Sequence, residues 1–167
     1  RIFKQAGLKI WDVESLSTHG GSLRVYGCHV NDPRQIATSV QAGLAEEQRS
    51  GLEELSTYLG FQERVDRVKT NLLFYLMEQK RAGKMVAAYG AAAKGNTLLN
   101  YAGITPDLIP FVCDAAPSKQ GKFMPGSHIP IFPPSMLCER KPDIILILPW
   151  NLTEEVISQN AYVREWG

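Results

Sequence analysis

One loop concentrates the residues best able to do chemistry: Gly90-Ala91-Ala92-Ala93-Lys94-Gly95-Asn96-Thr97, set between a short apolar run and a helical stretch. Gly90 and Gly95, with Ala92 between them, match a dinucleotide fingerprint whose second glycine is alanine. Gly90 permits a tight turn at a strand end, and Gly95 lets a helix approach a sheet closely. The first amides of such a helix point at whatever lies above the strand, and the helix dipole favours an anion there. Lys94 adds a full positive charge, and Asn96 and Thr97 add short polar groups. The order Lys-Gly is not the Gly-Lys-[Ser/Thr] of a Walker A loop, which disfavours ATPase or kinase chemistry. The expected chemistry is therefore binding of a phosphate-bearing ligand. The same two glycines also read as plain turn and packing residues.

Other candidates fall at comparable strand ends. Asp114 stands about twenty residues beyond Gly95, where such folds place an acid against a ribose hydroxyl; a turn cap is the alternative. Lys119-Gln120-Gly121-Lys122 is basic and contains glycine, so Lys119 and Lys122 could approach a diphosphate or stay solvated. Trp150 and Asn151 follow the last strand-like run and belong at the same carboxyl edge. Trp150 there either flanks a base or sugar or merely covers the sheet. His128 lies in a tight Pro-Gly-Ser-His turn and reads as structural.

The elements that must position these residues alternate. Residues 84–89, 109–113, 128–132 and 143–148 read as strands, the last as one buried on both faces. Helical stretches are expected at about 96–101, closed by Gly103, and from Pro133-Pro134 to about Arg140. A last one, capped by Asn151 or Thr153, runs to about Glu165. This alternation predicts an α/β fold with a Rossmann-like doubly wound parallel sheet. Helices and an N-terminal β-hairpin precede it. The clearest helix covers 61–81, with apolar residues at Phe61, Val65, Val68, Leu72, Tyr75 and Leu76 and closure at Gly83. Weaker helices are expected at 32–41, behind Asn31-Asp32-Pro33, and at 46–59. Residues 1–7 read as the last turn of a helix. Residues 8–16 and 22–30 read as an antiparallel hairpin, a unit that is marginal alone. These features predict three regions: 1–30 as the closing hairpin of a preceding domain, 31–82 as a helical linker, and 83–167 as the Rossmann-like domain. Both ends are expected to continue into sequence outside this stretch, with a fifth strand next.

The composition adds bounds. The net charge of the 167 residues is +1, which gives no electrostatic case for nucleic acid or a membrane surface. The longest strongly apolar run, 144–149, is too short to span a bilayer, and residues 1–10 carry no signal-like stretch. Cys28, Cys113 and Cys138 are odd in number and widely spaced, so reduced thiols in a cytoplasmic protein are expected.

The run Tyr89-Gly90-Ala91-Ala92-Ala93-Lys94-Gly95-Asn96-Thr97-Leu98-Leu99-Asn100-Tyr101 resembles the signature of the C-terminal domain of SAM-dependent sugar C-methyltransferases. Similar runs are residues 114–122, Pro125-Gly126-Ser127-His128-Ile129-Pro130 and residues 142–151. At the front, residues 18–26 resemble the hairpin that closes the family's methyltransferase domain. The resemblance implies a nucleotide-sugar-binding domain of an enzyme acting on NDP-linked keto-deoxysugars, dTDP-linked or otherwise. Gly90, Lys94, Gly95, Asn96, Thr97, Asn100, Asp114, Lys119, Lys122, Trp150 and Asn151 are then the candidate substrate contacts. His19, in the hairpin turn, either touches the sugar or only shapes the turn. The resemblance further implies S-adenosylmethionine in a central domain and zinc in an N-terminal one, with no cofactor in these residues. The family's general base, a histidine near a Tyr/Glu/His cluster, has no counterpart here, so this stretch is expected not to methylate alone. An NAD-binding oxidoreductase fragment and a non-catalytic Rossmann-like scaffold are the competing expectations.

Overall fold

The computed structural model describes residues 1–18 and 21–166. The chain divides into two compact units, Arg1–Gln62 and Glu63–Gly167, so the division falls inside the expected linker.

The first unit is built on a hairpin. A single helical turn, α1 (Ile2–Gln5), ends before Gly7, whose φ of 69° turns the chain into β1. β1 (Leu8–Leu16) and β2 (Ser22–His29) pair antiparallel from Leu8↔His29 to Leu16↔Ser22, with a bulge between Ile10 and Asp12. The expected helix over 32–41 does not begin at Asp32. The Asp32 carboxylate instead accepts the Arg34 amide at 2.9 Å, a local turn that competes with helix formation. The helix α2 (Thr38–Arg49) starts later, and Gly51, with φ 67°, separates it from α3 (Leu55–Leu59). α2 is tied to β1 by the Ala37 amide on the Trp11 carbonyl at 2.8 Å and by the Ser39 hydroxyl on Asp12 at 2.5 Å. No side chain of this unit is fully buried among the described residues.

The second unit holds the sheet. It opens in α4 (Phe61–Arg81), whose bounds match the periodic stripe, and Gly83 (φ 72°) ends it. β3 (Val86–Tyr89), β4 (Val112–Cys113), β5 (Ile131–Phe132) and β6 (Ile144–Ile147) form one parallel sheet in the order β5-β4-β3-β6. α5 (Ala93–Ala102) connects β3 to β4, and Gly103 ends it in the left-handed region at φ 68°. α6 (Ser135–Arg140) carries the chain from β5 across to β6. α7 (Thr153–Gln159) follows β6, and a 3₁₀ turn at Ala161–Glu165 follows α7.

Alternation along β3 divides the core. Val86 and Ala88 face a cluster with Leu76 of α4, Leu99 and Ala102 of α5, Ile109, Met124 and Leu148. Ala87 and Tyr89 face the opposite cluster, with Leu137 of α6, Val156 of α7 and Trp166. Helices thus cover both faces, the expected doubly wound arrangement. The chain leaves β3 toward β4 and returns on the other side at β6, which makes the β3/β6 boundary the switch point.

β6 packs on both faces as expected, Ile144 and Leu146 against the first cluster and Ile145 and Ile147 against the second, but each is only half-buried, with β3 as its one partner among the described strands. An apolar run cannot reveal whether a strand lies at the centre or the edge of a sheet. The expected caps of the last helix also differ. The Thr153 hydroxyl donates to the Trp150 carbonyl at 2.6 Å, and residues 150–152 form a 3₁₀ turn before α7.

Candidate functional site

The carboxyl ends of three strands come level, since Tyr89 of β3 pairs with both Cys113 of β4 and Ile147 of β6. From that edge the β3–α5 loop rises between two neighbours. The Gly90 amide donates to the Cys113 carbonyl at 2.7 Å. Gly90 has φ 92°, and a Cβ there would stand 2.5 Å from Cδ of Pro149. A Cβ on Gly95 would stand 2.6 Å from Cβ of Leu148. Both glycines are therefore required by close approach to the segment that leaves β6. The start of α5 is held directly at the switch point.

That helix start is open. Ala92 occupies the N-cap position and supplies no side-chain hydrogen bond. The Ala91 amide is taken by Asp114 and the Ala92 amide by the Gly90 carbonyl at 2.8 Å. The Asn96 amide makes the first helical bond, to the Ala92 carbonyl at 2.9 Å. Among the described residues nothing accepts from the amides of Ala93, Lys94 and Gly95. Three donors at the positive end of a ten-residue helix form an anion-binding arrangement.

The remaining candidates fall into two groups around this turn. On one side, a cleft of about 410 Å³ is lined by Ala91, Ala92, Ala93 and Asn96 and by the loop from Ser118 to Pro125. Lys119 and Lys122 lie on it; Lys122 has no ion-pair partner among the described residues. On the other side, the Lys94 ammonium lies 3.5 Å from the Asn151 side-chain oxygen and 5.7 Å from the centre of the Trp150 ring.

Asp114 sits behind the cleft, 7% exposed. One carboxylate oxygen accepts the Ala91 amide at 2.7 Å and the Lys119 ammonium at 3.1 Å. The other accepts the Ala116 amide at 2.8 Å. The acid thus joins the β3–α5 loop to the β4–β5 connection. Asn100 does similar work, donating to the Asn96 carbonyl at 2.9 Å and the Pro125 carbonyl at 2.8 Å. The Thr97 hydroxyl turns back to the Ala93 carbonyl at 3.0 Å. Asn96 keeps its side-chain oxygen sealed and unpartnered among the described residues. His128 is exposed in a turn with φ 56°, the structural place expected for it. His19 lies outside the described residues.

A family model described as the C-methyltransferase C-terminal domain matches residues 17–167. The chain belongs to that family. It is also 36% identical over 166 residues to the C-methyltransferase NovU of Streptomyces niveus. That alignment covers 99% of this chain and 40% of the relative, so the chain spans less than half of that protein's length.

Within this C-methyltransferase C-terminal domain, the chemistry in view is binding. Among the described residues no three of His, Cys, Asp and Glu gather to hold a metal. Burial pushes the Cys113 thiol up to about 12, so it is no nucleophile at neutral pH. No helix of the described residues is long and apolar enough to cross a membrane. Sequence reasoning missed Phe123, Met124, Pro125 and Ser118, which line the cleft. Ser118 and Pro125 lie in the runs that resemble the family, while Phe123 and Met124 had only their proximity to the Lys119–Lys122 loop as a signal.

Proposed function

We propose that this chain is the nucleotide-sugar-binding domain of a SAM-dependent C-methyltransferase acting on an NDP-linked keto-deoxysugar. Membership of the family supports the methyltransferase context. The observation that carries the ligand is the uncapped start of α5, with three free amides at the switch point and Lys94, Lys119 and Lys122 around it. A diphosphate supplies the negative charge that this arrangement lacks, and Gly90 and Gly95 let backbone approach it closely. S-adenosylmethionine would donate the methyl group from another part of the enzyme. The residues here bind and orient the sugar nucleotide, and the chain alone does not methylate.

The competing oxidoreductase reading needs an acid offered to a ribose diol. The geometry weighs against it, because Asp114 is committed to Ala91, Ala116 and Lys119. Asp114 is better read as a brace that fixes the loop.

An NMR titration of the chain with dTDP-glucose tests the proposal. The expected result is saturable shifts at the amides of Ala93, Lys94 and Gly95, with affinity lowered about tenfold in Lys94→Ala, the loss of one charge-assisted contact. Binding of NAD with no response to dTDP-glucose would favour the oxidoreductase reading. Silence toward both would leave only a scaffold.

A further inference from the structure

The cleft beside α5 has features that phosphate binding does not require. Ala91, Ala92, Ala93, Met124, Pro125 and Ile131 give it an apolar lining. Phe123 lines it as well, yet is 61% exposed. The backbone around Phe123 is not loose. It bridges to Pro130, with the Ile131 amide on the Lys122 carbonyl and the Met124 amide on the Ile129 carbonyl, both at 2.8 Å. A large aromatic ring is thus held at the rim of an apolar cleft by fixed backbone. Asn96 also lines the cleft, next to Ala93 at the start of α5.

The opposite side of the α5 start differs in charge. There Trp150, 54% exposed, and Asn151 line a second hollow together with Glu154 and Glu155. Two carboxylates repel a phosphate but accept hydrogen bonds from neutral hydroxyls. The cationic cleft and the acidic hollow therefore suit different ends of one ligand.

We propose that the nucleotide lies across the start of α5 in one direction. Its planar base stacks on Phe123 in the cleft, its diphosphate covers the amides of Ala93, Lys94 and Gly95, and its sugar reaches toward Trp150 and Asn151. This inference rests on the nucleotide-sugar reading and adds a direction and a base-recognising residue to it. Phe123 becomes the residue that separates a nucleoside diphosphate from a bare diphosphate, because base–aromatic stacking depends only on a flat π-face.

Three probes, inorganic pyrophosphate, dTDP and dTDP-glucose, test this by NMR titration and calorimetry on the whole chain. Pyrophosphate shifts residues 93–95 only. dTDP adds shifts at Phe123 and Asn96, and dTDP-glucose adds further shifts at Trp150 and Asn151. Phe123→Ala weakens dTDP about tenfold, leaves pyrophosphate unchanged, and is rescued by Phe123→Tyr. Unchanged spectra away from the cleft show that the variant folds. Base-dependent shifts at Trp150 with none at Phe123 would reverse the direction and overturn this inference, while the nucleotide-sugar reading stood. Equal loss of pyrophosphate and dTDP in Phe123→Ala would also overturn it. No response at residues 93–95 to any probe would defeat both.

Discussion

At the residue scale, the polar candidates divide into groups that face a ligand and groups that hold the scaffold. Lys94, Lys119 and Lys122 put charge around the open amides. Asp114 and Asn100 spend their hydrogen-bonding capacity on neighbouring loops. Cys113 belongs wholly to the scaffold. It is 0% exposed at the end of β4, and its thiol is shifted from an ordinary 9.0 up to about 12 by burial. In the folded chain the thiol keeps its proton through that window, whereas in the unfolded chain it ionises near the lower value. Unfolding then releases a proton, so this group's contribution to stability is complete below about pH 9 and declines as pH rises toward about 12. Denaturant unfolding between pH 8 and about pH 11 should show a fall in stability that is shallower in Cys113→Ala. At neutral pH, a thiol-reactive probe should label the exposed Cys138 and spare Cys113 until the chain unfolds.

At the scale of elements, α5 is a helix whose start has been left without a cap. Ala92 has φ −93° and ψ 155°, the extended geometry of an N-cap residue, but its methyl accepts nothing. A good cap here would satisfy the same amides that the proposed diphosphate needs. Ala92→Asp should therefore stabilise the chain by about 1 kcal/mol in thermal unfolding. It should also weaken binding of pyrophosphate and dTDP at least tenfold, since the new carboxylate occupies the anion's place. If the variant gained stability and kept full affinity, the α5 start would not be the phosphate site. The glycines frame this element from below. Gly95 brings α5 onto Leu148 and Gly90 clears Pro149, so the open amides stand over the β3/β6 boundary rather than beside it.

At the scale of the whole molecule, the two units have unequal cores. The second contains both buried clusters, on opposite faces of the sheet. The first buries no side chain fully among the described residues, and it leaves Leu23, Val30 and Leu44 more than half exposed. Two strands and three helices that bury no side chain fully remove too little apolar surface from water to be stable alone. Hydrogen exchange should accordingly find the amides of Leu8–Leu16 exchanging at least tenfold faster than those of Val86–Tyr89. Protection that was equal in the two strands would show the first unit to be as stable as the second.

The sequence alone determined the class of fold, because alternating strand and helix periods with a glycine-marked turn allow few other solutions. It located the helix at 61–81 and the hairpin to within a residue or two, since each depends on local spacing and turn chemistry. It placed the turn at Gly90 but read the loop as running to Thr97, whereas α5 begins at Ala93, because nothing in the Ala91-Ala92-Ala93 run marks where the helix starts. It also pointed to Asp114, Lys119, Lys122, Trp150 and Asn151 as residues at strand ends. It did not show that Asp114 is turned inward, that β6 is only half-buried, or that α2 begins only at Thr38. Those outcomes depend on partners distant in sequence or on local bonds that compete with periodicity. Only the tertiary structure brought Phe123 to the cleft beside Ala93 and set Lys94 against Trp150. The approach of the loop at 118–125 to α5 is a long-range packing result, and no residue in that loop carries it in its own type or spacing.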